Sequence, residues 1–230
     1  MNQPLSALKA VTNWVFDLDD TLYPSSEEIF GQMAERIQAF IMQALKTDAQ
    51  RAWQIQRDYY QRYGATVRGL MLEYGIPPES FTDYVHELDL SVLKENPELK
   101  KCLKALKGKK VVFTNGAYHH AQRVLERLGI SECFDGIFSI REAEYLPKPA
   151  VETYEKMLNS FAIDPHKAVM FDDSQSNLKT ACGLGMKTVW ISTNEYNNPY
   201  NKVSGEAEFW DFQTDDLVRF LTDFLMDEPA

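Results

Sequence analysis

The stretch WVFDLDDTLYP, residues 14–24, decides how the rest of the chain is read. An apolar run, Trp14-Val15-Phe16, leads straight into Asp17, Asp19 and Asp20. Adjacent carboxylates repel, and the end of a strand entering a core is a poor place to gather them unless something positive balances the charge. A divalent cation, and then a phosphate group, would meet that need. Working outward, short apolar runs alternate with helical patterns from about residue 96 onward. Leu99, Cys102, Leu103 and Leu106 recur at helical spacing, as do Ala121, Val124, Leu125 and Leu128. KVVF, GIFSI, AVMFDD and KTVWIS read as strands between them. Strand–helix alternation predicts a parallel sheet covered on both faces, an α/β, Rossmann-like three-layer core. Such sheets bind ligands at the carboxyl ends of their strands, which is where the acidic tail of the first strand falls.

Residues 23–95 break this alternation. Ser25 and Glu28 have capping-box spacing, and Ile29, Met33, Ile37 and Ile41 follow on one helical face. AQRAWQIQRDYYQRYG, TVRGLMLEYGIPP and ESFTDYVHELDL also read as helices, two of them ending at Gly64 and Gly75. The expectation is a small helical cap domain at 23–95, inserted into a core formed by 1–22 and 96–230, with hinges at 22–24 and 96–97. The closing stripe Leu217, Phe220, Leu221, Phe224 and Leu225 is an amphipathic helix with Asp215 and Asp216 at its N-terminal end.

Composition narrows the function classes. The 230 residues are 44% hydrophobic, enough for a packed core. Net charge is −10, which disfavours a nucleic-acid polymer or an anionic membrane as partner, so an anionic substrate needs a local cation to attract it. No apolar stretch is long enough to span a membrane, and the N-terminus lacks a secretory apolar region. Cys102, Cys133 and Cys182 are odd in number and far apart, with neither disulfide nor zinc spacing; they read as small core residues in a reducing cytoplasm.

Four polar clusters fall at strand ends or in loops: Asp17/Asp19/Asp20/Thr21, Thr114/Asn115/Gly116, Lys148, and Asp172/Asp173 with Asn177. Each has an ordinary reading as a turn, a cap or a surface lysine. Their order and spacing together, as DLDDT, TN, K and DDxxxN, resemble the haloacid dehalogenase superfamily of aspartate-nucleophile phosphotransferases, over the whole chain. The insertion between the first and second motifs resembles its members with a small helical cap.

The resemblance implies a magnesium-dependent phosphomonoesterase. Asp17 is then the nucleophile that forms an aspartyl phosphate, and Asp19 the general acid and base. Asp17, the Asp19 carbonyl and Asp173 are the implied magnesium ligands, with Asp172 binding directly or through water. Thr114 and the backbone around Asn115 and Gly116 bind phosphate oxygens, and Lys148 neutralises charge on the phosphate and on Asp17. Asn177 and Thr21 stand behind these ligands, Asn177 replacing an acid common at that position. Asp20 serves the turn. His119 and His120, adjacent on a helix, do not share a face and make no zinc pair; each reads as a surface or cap residue, the alternative being that one of them touches substrate, because AYHH opens the helix after FTNG.

The segments YGATVRGLMLEYGIPP, FTNGAYHHAQRVLERLGI and FDDSQSNLKTACGLGMKTVWIS resemble the pyrimidine 5'-nucleotidase-type subgroup. That implies a nucleoside 5'-monophosphate as the small-molecule substrate, with Tyr63, Gly64 and Arg68 of the cap as substrate contacts. The alternatives are a phosphatase or mutase for another small metabolite such as a phosphosugar or phosphoglycolate, a metal-free hydrolytic dehalogenase, and a phosphoacceptor receiver module that is not an enzyme.

Overall fold

The computed structural model describes residues 4–24, 27–192 and 209–227. Ser25 lies outside the described residues, so the capping box read at Ser25 and Glu28 is not placed. Six strands form one sheet: β1 (Asn13–Phe16), β2 (Lys109–Phe113), β3 (Gly136–Phe138), β4 (Ala168–Asp172), β5 (Lys187–Ile191) and β6 (Phe212–Thr214). All pairings are parallel, in the order β3-β2-β1-β4-β5-β6. The order reverses between β1 and β4, and an open α/β sheet opens a crevice at such a switch point, beyond the carboxyl ends of those strands.

The central strands bury both faces. Trp14 and Phe16 join one apolar cluster and Val15 the other, as alternation along a strand requires. Helices α5 (Pro97–Ala105), α6 (Tyr118–Leu128) and α9 (Leu217–Asp227) cover the first face; α7 (Val151–Ser160) and α8 (Gln175–Gly183) cover the second. Phe16 stacks on Phe171 of the neighbouring strand with centroids 4.6 Å apart, a cross-strand aromatic pair worth about 0.5–1.5 kcal/mol beyond the area it buries. Asp216 caps α9 by accepting from the Arg219 N–H at 3.0 Å.

The sequence gives no warning of β6, a three-residue edge strand. Two of the cysteines, Cys102 and Cys133, are buried as expected, but Cys182 is exposed: it lies near the end of α8, on the side turned away from the sheet. Among the described residues no helix is long and apolar enough to cross a membrane.

Between β1 and α5 stand four helices, α1 (Glu27–Leu45), α2 (Ala49–Tyr63), α3 (Thr66–Tyr74) and α4 (Pro78–Val85). They have an apolar cluster of their own, including Ile41, Ile55, Tyr59, Leu70 and Phe81, joined from the sheet side by Ile140 and Tyr145. Gly64 and Gly75 end α2 and α3 with φ of 77° and 64°, a left-handed turn that glycine makes without a Cβ penalty. Helix α4 stops at Val85, short of the helix read through residue 90. Beyond it the chain returns to the sheet as a strap, in which Arg123 of α6 donates to the His86 and Leu88 carbonyls at 3.2 and 2.6 Å.

Candidate active site

The switch point brings the acidic residues together. Asp17 follows β1 directly, and its N–H donates to the Phe171 carbonyl of β4 at 2.9 Å, so Asp17 and the β4 terminus share one sheet edge. Leu18 turns into the core while Asp17 and Asp19 on either side of it line a cavity. Asp20 adopts φ of 62°, a left-handed conformation that Asp tolerates better than most residues, and so makes the turn. The cavity, about 620 Å³, lies between the sheet edge and the inserted helices. Its polar floor includes Asp17, Asp19, Asp173, Thr114 and Lys148; Phe30, Met33, Ile37, Phe81 and Val85 form an apolar wall.

Lys148 is 2% exposed, and its ammonium group donates at 2.8 Å to each of three oxygens: Asp17 Oδ1, Asp172 Oδ2 and the Phe113 carbonyl. All three of its N–H bonds are thereby used. Burial favours loss of its proton, but Asp17 and Asp172 outweigh burial and hold the ammonium above its usual range. Asn115 fixes the loop that carries it, accepting from the Lys148 N–H at 2.8 Å and donating to the Lys148 carbonyl at 3.2 Å. Asn115 and Gly116 line the cavity with Thr114, and the Asn115 side chain is there bonded to the Lys148 backbone. Thr114 Oγ1 accepts from the Gly116 N–H at 2.8 Å, which occupies that backbone donor as well.

The two acids of the last motif divide their work. Asp172 is fully buried, its oxygens taken by Lys148, the Ser174 N–H at 2.8 Å and the Asn177 amide at 3.0 and 3.1 Å. Asp173 faces the cavity. Carboxylate oxygens of Asp17, Asp172 and Asp173 lie within 4.8 Å of one another. Burial raises the Asp17 carboxyl to about 7, with Lys148 pulling it down and Asp172 pushing it up; burial and the charges of Asp172 and Asp17 push Asp173 well above the usual carboxylate range. A cluster of hard oxygen donors whose charges resist being together fits a small divalent cation. Thr21, behind the cluster, keeps a buried hydroxyl oxygen without a partner among the described residues.

Residues 13–185 match the family of haloacid dehalogenase-like hydrolases. This chain belongs to that family. Among relatives of this haloacid dehalogenase-like hydrolase, phosphate metabolism protein 8 of Saccharomyces cerevisiae is 32% identical over 74% of the chain. The chain spans 58% of that yeast protein's length. Glyceraldehyde 3-phosphate phosphatase of Methanocaldococcus jannaschii is 29% identical over 80% of this chain and 86% of its own. A phosphatase of the same family from Thermococcus onnurineus superposes with a TM-score of 0.63 over 96% of this chain and all of that one, at 17% identity, a likeness of fold.

The histidines of this family member depart from their sequence reading. His120 is not a surface residue: it is fully buried, and its Nε2 lies 3.1 Å from Asp19 Oδ1. Neighbours on a helix point about 100° apart, so only one of the pair faces inward; His119 stays partly exposed, 3.8 Å from Asp83. Tyr23 also donates to Asp19 Oδ1. Burial opposes ionisation of Asp19, but His120 and Tyr23 outweigh it and hold the carboxyl at about 2. His86, beyond α4, was not singled out from sequence, because a lone histidine carries no spacing signal. It lines the cavity, donates through Nδ1 to the Thr82 carbonyl at 2.8 Å, and is held near 4 chiefly by burial, hence neutral. Of the inserted residues read as substrate contacts, Gly64 lines the cavity. Tyr63 instead donates to Glu73 at 2.5 Å, and Arg68 to the Tyr145 carbonyl at 3.3 Å; neither forms part of the cavity wall.

Proposed function

We propose that this hydrolase is a magnesium-dependent phosphomonoesterase working through an aspartyl phosphate on Asp17. The observation that carries the reading is the placement of Asp17, Asp19 and Asp173 around one cavity at the switch point, with Lys148 bonded to Asp17. Asp17 Oδ1 is held by Lys148, which leaves the other oxygen to attack phosphorus. As the new bond forms, the ester P–O bond breaks, and Asp19, ionised before substrate binds, passes to the departing oxygen the proton that a phosphomonoester monoanion brings into the site. Asp19 then takes a proton from a water, which attacks phosphorus and frees Asp17 and inorganic phosphate. Magnesium bound by Asp17, the Asp19 carbonyl and Asp173 would supply charge compensation for the phosphoryl oxygens and for the acids themselves. Asp172 supports this set through Lys148 and Asn177. A metal-free dehalogenase would leave the Asp173 carboxylate in the cavity without a role. A receiver module would have no use for the inserted helices, which in this reading form a cap, residues 23–95, that closes over the substrate and excludes water.

The substrate read from sequence, a nucleoside 5'-monophosphate, is supported by the apolar wall of Phe30, Met33, Ile37, Phe81 and Val85, which suits the flat face of a base. A small phosphosugar is the second reading, supported by the name of the Methanocaldococcus relative, a glyceraldehyde 3-phosphate phosphatase. Phosphate release from a panel of nucleoside monophosphates, sugar phosphates and phosphoglycolate, with magnesium and with a chelator, tests both levels. Higher kcat/KM for nucleotides supports the first substrate, and higher kcat/KM for three- to six-carbon sugar phosphates the second. Activity unaffected by the chelator would remove magnesium from the reaction.

A further inference from the structure

We propose that His120 and Tyr23 are positioning residues that fix the Asp19 carboxyl group so that Oδ2 alone meets the substrate. The inference rests on the phosphomonoesterase reading, in which Asp19 passes a proton to the leaving oxygen. Both recorded partners of the Asp19 carboxylate, His120 Nε2 and the Tyr23 hydroxyl, act on the same oxygen, Oδ1. The Asp19 side chain is 25% exposed and lines the cavity, and Oδ2 has no partner among the described residues.

The regiochemistry follows. With two donors on Oδ1, the oxygen open to the leaving group is Oδ2, and the proton that a phosphomonoester monoanion brings into the cavity is taken up there. Oδ2 gives that proton to the ester oxygen as the P–O bond breaks, and later takes one from the attacking water. A carboxyl free to rotate would often present the wrong oxygen, and misplacement of a reacting group by about 1 Å can cost ~10²-fold in rate.

His120 is not explained by packing alone. Its Nδ1 is buried with no partner among the described residues, at a cost of roughly 1–3 kcal/mol. A leucine would fill that place on the buried face of α6 without leaving a polar atom stranded. An imidazole is retained where its Nε2–H has work to do, and the work recorded for it is the bond to Asp19. Two segments meet on this carboxylate and a third backs one of them. Tyr23 comes from the turn after β1, His120 from α6, and His86 packs on the His120 ring at a centroid distance of 5.0 Å.

The test compares an alkyl phosphate, which needs a proton on its leaving group, with 4-nitrophenyl phosphate, which does not, by single-turnover release of each leaving group. His120→Leu is expected to slow the alkyl ester by about 100-fold and the nitrophenyl ester by less than about 5-fold. His120→Gln, which keeps an N–H donor, is expected to recover at least about a tenth of the wild-type rate on the alkyl ester. Tyr23→Phe should show the same selectivity more weakly. Equal loss on both esters, no loss on the alkyl ester, or a Gln variant as slow as the Leu variant would overturn the proposal. If His120→Leu does not fold, Tyr23→Phe carries the comparison, and equal loss on both esters there overturns it too. Wild-type protein inactive on every phosphomonoester is a different result, and refutes the parent reading instead.

Discussion

Asp17 and Lys148 test opposite sides of one contact. Asp17→Asn removes the nucleophile but keeps a side chain of the same shape, so turnover is expected to fall by at least about 10³-fold, roughly 4 kcal/mol in the barrier, with an unchanged circular dichroism spectrum. A folded Asn variant that retains substantial phosphate release would move the nucleophile elsewhere. Lys148→Met is expected to damage the fold as well as the reaction. It leaves Asp17 and the fully buried Asp172 without their cation, and breaking a buried pair from one side costs about 3–5 kcal/mol. Urea denaturation in the presence of a chelator measures that loss; a midpoint equal to wild type would mean that Lys148 carries no structural weight.

Among the elements, the contact between α2 and α3 depends on a missing side chain. A Cβ built on Gly69 would lie 2.3 Å from Tyr59 Cγ, which belongs to the ring of a 3% exposed tyrosine. Alanine normally stabilises a helix interior by about 1 kcal/mol over glycine. Here Gly69→Ala is expected to destabilise by about 1–3 kcal/mol, because the ring can yield only by moving α2 away from α3. Chemical denaturation showing a net gain instead would mean that the two helices separate freely. Elements of this kind also mark what the sequence could tell. The helices and five of the six strands, β1 to β5, announce themselves by apolar runs, helical period and glycine stops, and the acidic cluster by adjacency at a strand end. Strand β6 is too short and too exposed on its outer residues to establish a period. The link from His120 to Asp19 spans 101 positions and depends on which of two adjacent histidines turns inward, which only the packing of α6 decides. Tyr63 and Arg68 read as substrate contacts because their segment resembles that of the pyrimidine 5'-nucleotidase-type subgroup, and residues beside them do line the cavity. Helical rotation carries them away from it, to Glu73 and to the Tyr145 carbonyl.

At the scale of the whole molecule, an acidic protein keeps buried acids at its centre, and that couples stability to pH and to metal. In the metal-free protein the Asp17 carboxyl is raised from 3.8 to about 7, so between those values the folded state binds a proton that the unfolded chain has already released. Its contribution therefore falls as pH rises through that window and levels off above 7; Asp173, also raised, acts in the same direction. His86 works oppositely: held near 4, it costs stability as pH falls below 6.5, because the unfolded chain takes up the proton first. Asp19, held near 2, matters only in acid. These opposed effects blur a single melting profile, but His86 is not one of the carboxylates that would hold the cation, and its effect largely cancels when protein with magnesium is compared with protein in chelator at the same pH. A divalent cation binds the ionised cluster, so at low pH it must displace protons and stabilises less. The gain in Tm on adding magnesium is accordingly expected to be several degrees larger at pH 8 than at pH 5.5, and to shrink at both values in Asp17→Asn. Thermal scans at the two pH values decide it: an equal gain at both, or a gain that survives Asp17→Asn undiminished, would place the cation away from these carboxylates.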